Sequence, residues 1–255
     1  MNKALDSFQK NTSDFLDALA LFPDRARAIA PEGEWSAAFI VHHVADGELH
    51  FAARYLHTLG SDNPTMIYFV RHGETILTPL RKFSGTGPLN PELTEEGLAQ
   101  AATVAQEIAK IKPDVLIASP LQRTRQTAEA IAATTGLPIV FDEIWYELSF
   151  GSWDGLTNDE VREKFPDEYQ DWLNSSAYAP GGGESYDQAR IRVEAAMEKL
   201  LAEYPGQKVC VVTHNGVIRS AVSIALHAPH DAVFHLDATP CSITSISMWP
   251  SDGLR

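Results

Sequence analysis

Residues 66–75 read Met66-Ile67-Tyr68-Phe69-Val70-Arg71-His72-Gly73-Glu74-Thr75. An apolar run of β-branched and aromatic residues that ends in Arg-His-Gly predicts a buried strand carrying a guanidinium and an imidazole to its carboxyl end. Open α/β sheets bind their ligands along that edge. The arrangement returns far downstream in Val211-Val212-Thr213-His214-Asn215-Gly216, again an apolar strand followed by His and then Gly. Between the two lies Ser119-Pro120-Leu121-Gln122-Arg123-Thr124-Arg125-Gln126-Thr127, where a third strand runs into an arginine-bearing helix. Strand-end histidines and arginines together predict an anion pocket with a nucleophile inside it.

The flanking sequence alternates strands with helices. Thr94 precedes Glu95 and Glu96 as an N-cap with acids in the first turn, opening an Ala-rich helix that reaches about Ile111. Residues 114–118 form a strand, 121–134 a helix closed by Gly136, and 138–141 a short strand. Thr157 and Glu160 make a capping box for a helix towards Phe165. A long helix over 185–204 precedes the strand 208–213, and a helix over 217–226 leads to a final β-rich run, 242–248. Helical crossovers between strands predict a mainly parallel sheet covered on both faces, a three-layer α/β/α sandwich.

Residues 1–62 read differently. Leu5, Phe8, Phe15, Leu16 and Leu19 give one apolar helical face, and Val41, Ala45, Leu49, Ala52, Leu56 and Leu59 give a second. This predicts a small N-terminal helical hairpin, with the α/β domain over 63–255. Two helices make a poor autonomous core, so this segment is expected to form an association surface, a homodimer through residues 1–60, with packing of the same stripes on the α/β domain of its own chain as the alternative. His42, His43, His50 and His57 fall in the second helix, the last three of them at seven-residue intervals; surface or interface histidines are the expected reading, and no metal site is assigned.

Composition bounds the function. A chain of 255 residues with 44% hydrophobic residues supports a real core, and a net charge of −14 argues against nucleic acid or an anionic membrane as partner. The two cysteines, Cys210 and Cys241, have no metal-type spacing. An N-terminus without an apolar signal core and the lack of an 18-residue apolar run predict a cytoplasmic protein.

With these motifs in order, residues 66–249 closely resemble the histidine phosphatase superfamily, which includes the cofactor-dependent phosphoglycerate mutases. The resemblance implies that His72 is the nucleophile, that Arg71 and Arg123 bind phosphoryl oxygens, that His214 completes the pocket, and that Glu147, four residues before Gly151, is the proton donor. It also implies that Asp154 shapes its loop and that Thr78 and Ser84 donate to phosphate. Thr78 stands where many relatives have Asn, and Asn90 where they have an acid. Pro180-Gly181-Gly182-Gly183-Glu184-Ser185 matches the family's glycine-rich stretch with one extra Gly, so Glu184 and Ser185 are expected to fix the rim and begin a helix.

The residue types suit the chemistry independently. A neutral imidazole attacks phosphorus, arginine forks match phosphate oxygens, and a carboxylic acid protonates the departing oxygen and later activates water. Such a cycle needs no metal or cofactor. The expected substrate is a small phosphorylated metabolite, with phosphoglycerate mutase-type transfer or non-catalytic binding of a phosphate ligand as alternatives. Around residues 83–94, 180–185 and 234–237 the sequence is similar to an α-ribazole phosphatase-like branch fused elsewhere to RNase H. Residues 1–62 stand in that part's position and resemble the first half of a DinB-like helical bundle, through Trp35-Ser36, His43, Asp46, Arg54, Leu59 and Asp62-Asn63-Pro64.

Overall fold

The structure, a computed structural model, describes residues 63–249. The predicted N-terminal hairpin with its DinB-like resemblance, its histidines and its dimer surface lies outside the described residues.

Five strands form one sheet in the order β3-β2-β4-β1-β5. They are β1 (Thr65–Arg71), β2 (Val115–Ala118), β3 (Ile139–Phe141), β4 (Lys208–Thr213) and β5 (Ile243–Met248). All neighbouring pairs are parallel except β1 with β5, which is antiparallel. The helices are α1 (Glu95–Ile111), α2 (Gln122–Thr135), α3 (Asn158–Lys164), α4 (Pro166–Asn174), α5 (Tyr186–Glu203) and α6 (Asn215–Ala225).

The continuous apolar runs follow from burial on both sheet faces. Successive side chains alternate between faces, so Ile67, Phe69, Val209 and Val211 pack on one side with Val193, Met197 and Leu200 of α5 and Ile218 and Ile224 of α6. Val70, Leu116, Cys210 and Val212 pack on the other with Val104 and Ile108 of α1 and Ala128 and Ile131 of α2. The three-layer architecture and the mainly parallel sheet agree with the sequence.

Helix starts follow their local chemistry. Thr94 Oγ1 accepts the Gly97 N–H at 3.0 Å at the head of α1, and Thr157–Glu160 and Ser185–Gln188 each form a reciprocal capping box, at α3 and α5. Helix α2 has no side-chain cap at Leu121; the Asn90 carboxamide reaches across from another loop and accepts the Gln122 N–H at 2.9 Å. The α3 capping box was legible in sequence. Helix α4 was not: it begins at Pro166, directly after Phe165, in a stretch read as continuing no further than one short helix.

A third cluster lies off the sheet, built on Leu148, Phe150, Trp153, Val161, Tyr186 and Val233. Trp172 of α4 sits edge-on to Trp153 (5.8 Å), Phe83 (5.9 Å) and Phe234 (5.4 Å). Phe83 also meets Phe150 at 4.9 Å. These rings hold together loops that are distant in sequence.

Candidate active site

Strand register places the two histidines. Arg71 of β1 is the register partner of Thr213 of β4, so His72 and His214 leave adjacent parallel strands at the same level. Their ring centroids are 5.3 Å apart at 61°, and both are buried. Strand β2 ends at Ala118, the register partner of Val212, and the Oγ of Ser119, which follows it, lies 2.8 Å from His214 Nε2. The next helix carries Arg123, which is fully buried.

Each imidazole has one nitrogen fixed. His72 Nδ1 is 2.8 Å from the Gly73 carbonyl, which only accepts, so Nδ1 carries the proton and Nε2 keeps its lone pair. Burial, with the charges of Arg123 and Arg71, holds His72 well below the ordinary histidine range, which favours the neutral nucleophilic form. His214 is lowered likewise, by burial and by Arg123. Its Nδ1 is buried without a hydrogen-bond partner.

The guanidiniums are anchored at one edge and unsatisfied at the other. Arg123 Nη2 donates to the carbonyls of Ser84 (3.0 Å) and Gly85 (3.2 Å), while its Nε and Nη1 have no partner. Arg71 Nη1 donates to the Ala238 carbonyl at 2.5 Å, and its Nε is unpartnered. Ser84 Oγ is also buried and unpartnered. Burial lowers Arg123 to about 10, which leaves it charged at neutral pH. Buried donors seldom go unsatisfied, because each costs a hydrogen bond's worth of desolvation. Here they surround the histidine pair, as a site for a multivalent anion requires.

Glu147 is buried beside this basin. Its Oε1 accepts the Leu148 N–H at 3.0 Å and its Oε2 the Gly216 N–H at 3.1 Å. The second is one of the orphan donors at the head of α6. A side chain at Gly216 would place its Cβ 2.6 Å from Glu147 Oε1, so only glycine admits the carboxyl here. Burial raises the Glu147 carboxyl above the usual carboxylate range, against the pull of these two N–H bonds and of Arg123 and Arg71. Raised in this way, the carboxyl keeps its proton to higher pH than an ordinary glutamate does.

The other expected residues take supporting places. Asp154 Oδ1 accepts the Gly85 N–H at 2.6 Å, fixing the loop whose carbonyls anchor Arg123. Thr78 Oγ1 accepts the Thr75 N–H at 3.0 Å and lies 3.2 Å from Thr75 Oγ1, so it holds the turn after β1. Ser185 caps α5. Glu184 is gripped by Arg192, Nε to Oε1 at 3.0 Å and Nη2 to Oε2 at 2.8 Å. Arg192 Nη1 also donates to the carbonyls of Ile144 (2.6 Å) and Tyr146 (3.0 Å), just before Glu147. Nothing in the spacing of Arg192, or of Ser119 as a partner for His214, signalled these contacts in sequence. Among the described residues no group of three or more His, Cys, Asp or Glu side chains is arranged to hold a metal ion, and no helix is long and apolar enough to cross a membrane.

A sequence profile of the histidine phosphatase superfamily, branch 1, matches residues 67–253. The chain belongs to that superfamily. Among its relatives, the bifunctional protein Rv2228c of Mycobacterium tuberculosis is 36% identical over 183 residues, covering 71% of this chain and 50% of that protein. The chain thus spans about half the length of the first curated relatives it matches. Among solved structures, the mycobacterial glucosyl-3-phosphoglycerate phosphatase Rv2419c complexed with VO3 superposes with a TM-score of 0.66 at 27% identity, covering 72% of this chain and 96% of that one. The α-ribazole phosphatase of Shigella flexneri gives 0.64 at 25% identity, over 71% and 90%. The chain therefore shares its α/β fold, and the mostly parallel sheet beneath the site, with phosphatases of differing substrates.

Proposed function

We propose that this histidine phosphatase hydrolyses a small phosphomonoester through a phosphohistidine on His72, without a metal ion. The reading rests on one observation above the rest: the buried, unpartnered donors of Arg71, Arg123, Ser84 and His214 around an imidazole whose Nε2 lone pair is free. Phosphoryl oxygens satisfy those donors. Family membership supports the same chemistry.

The phosphoryl group sits between the guanidiniums. His72 Nε2 attacks phosphorus and the bond from phosphorus to the ester oxygen breaks. Glu147 gives its proton to that oxygen, so the alcohol leaves neutral. Charge on the equatorial oxygens is met by Arg71, Arg123 and His214 Nδ1–H. Ser119 fixes that tautomer by donating its hydroxyl to His214 Nε2. In the second half the Glu147 carboxylate takes a proton from water as the water oxygen attacks phosphorus; the phosphorus–nitrogen bond breaks and inorganic phosphate departs. The net reaction consumes one water per ester.

Residues 63–255 form the catalytic domain in this reading, and the protein acts in the cytoplasm on a free metabolite. The phosphatase relatives do not converge on one leaving group, since glucosyl-3-phosphoglycerate and α-ribazole phosphatases share the fold. The test is hydrolysis of an aryl phosphate by the full chain in excess chelator. Release of inorganic phosphate at an undiminished rate is expected. Activity that vanishes with chelator and returns only with a divalent ion overturns the mechanism.

A further inference from the structure

A groove of about 520 Å³ opens beside Glu147, lined by Thr86, Glu143, Tyr146, Glu184 and Arg192 among others. If Glu147 protonates the departing oxygen, as proposed above, whatever that oxygen carries extends into this groove. Its charges are therefore those that the leaving group meets.

The groove holds carboxylates and no uncommitted cation among its described lining residues. Glu143 is exposed at its rim. Arg192 is the one basic side chain in the lining, and its Nε, Nη1 and Nη2 are spent on both oxygens of Glu184 and on the carbonyls of Ile144 and Tyr146. Arg219, which acts on Arg71 from α6, is likewise spent, on the Val233 carbonyl and the Tyr186 hydroxyl. A leaving group with its own carboxylate would bring a further anion against Glu143, with the Glu184 carboxylate and the Arg192 guanidinium already spent on each other. Hydroxyls fit: Thr86, Tyr146, Ser149 and Gln188 line the same groove and offer donors and acceptors in both senses.

We infer that the groove beside Glu147 selects phosphomonoesters of uncharged, hydroxyl-bearing alcohols, of the polyol or sugar type, over esters whose alcohol carries a carboxylate. The inference rests on the proposed hydrolytic function and deepens it.

Glycerol 3-phosphate and 3-phosphoglycerate test it, because they differ only in a hydroxymethyl group against a carboxylate. The full chain is assayed on both and on an aryl phosphate as reference. The expected kcat/KM favours glycerol 3-phosphate by about tenfold or more, the range of a like-charge penalty at a partly solvated site. Glu143→Lys and Glu184→Gln, the second of which releases the Arg192 fork, should each shrink that ratio by raising turnover of 3-phosphoglycerate. If either ester is turned over too slowly, the ratio is read from the two inhibition constants against the aryl phosphate. Equal or inverted preference in the unmodified protein, or a ratio unmoved by both substitutions, overturns the inference while leaving hydrolysis intact. Failure to hydrolyse the aryl phosphate overturns the hydrolytic reading itself.

Discussion

The strand-end basin and the groove wall beside it are built in opposite ways. In the basin, each group is delivered by a local rule: a buried strand stops, and the next residue or the next helical turn faces the ligand edge. His72, His214 and Ser119 all follow strand ends that pair in register, and their contacts are short and buried. The wall has no such rule. Its members come from residues 83–86, 143–156, 165–174, 180–192 and 233–234, joined by aromatic edges and by one arginine clamp. In the proposed reading, the chemical step rests on groups at the ends of paired strands, and discrimination between leaving groups on a wall assembled from distant loops. Loops carry such variation at low cost because few core contacts depend on them.

That division gives experiments a direction. The largest effect belongs to the basin: His72→Ala should abolish the phosphoenzyme and lower turnover by a factor on the order of 10⁴ or more, because the covalent route is lost. Rapid-quench trapping of an acid-labile, base-stable phosphoenzyme checks it; an intact intermediate in the variant would move the nucleophile elsewhere. Glu147→Gln comes next. It should cost about 10²–10⁴ on an alkyl ester and much less on an aryl phosphate, whose oxygen leaves with little protonation. The pH dependence has a defined sign. Burial raises the Glu147 carboxyl, so alkyl ester turnover limited by departure of the alcohol should fall as pH rises through that raised value. The glutamine variant should lose this alkaline limb.

Two smaller effects separate the regions further. Ser119→Ala removes the partner that fixes His214 and should cost about tenfold in kcat/KM, one buried hydrogen bond's worth, with Ser119→Thr restoring most of it. Unrestored activity in the threonine variant would point to packing rather than tautomer control. Trp172→Ala should act on the wall alone. Its ring is half-buried among Phe83, Trp153 and Phe234, so a loss of stability of about 2 kcal/mol in urea unfolding is expected. The ratio between alkyl esters should change, with phosphoenzyme formation from an aryl phosphate little altered. If phosphoenzyme formation falls in step with the ratio, the two regions are one mechanical unit and the contrast fails.

Sequence by itself determined the strands, most helix starts and which histidines and arginines stand at the strand ends. These depend on short-range patterns: an apolar run long enough to be buried on both faces, a capping Thr or Ser with its Glu or Gln three residues on, and a histidine or arginine just past the point where a strand ends. Ser185 as the start of α5 was legible for the same reason, while Asp154 as a loop-shaping residue came from the family resemblance. Tertiary structure alone decided that Ser119 meets His214, that Asn90 caps α2, that Thr78 turns to Thr75, and that Arg192 grips Glu184 across the wall. Those pairings join polar groups far apart in the chain or turned by local geometry, and the sequence does not mark which partner each one finds. Helix α4 belongs with them, since its worth lies in Trp172 reaching rings on three other segments.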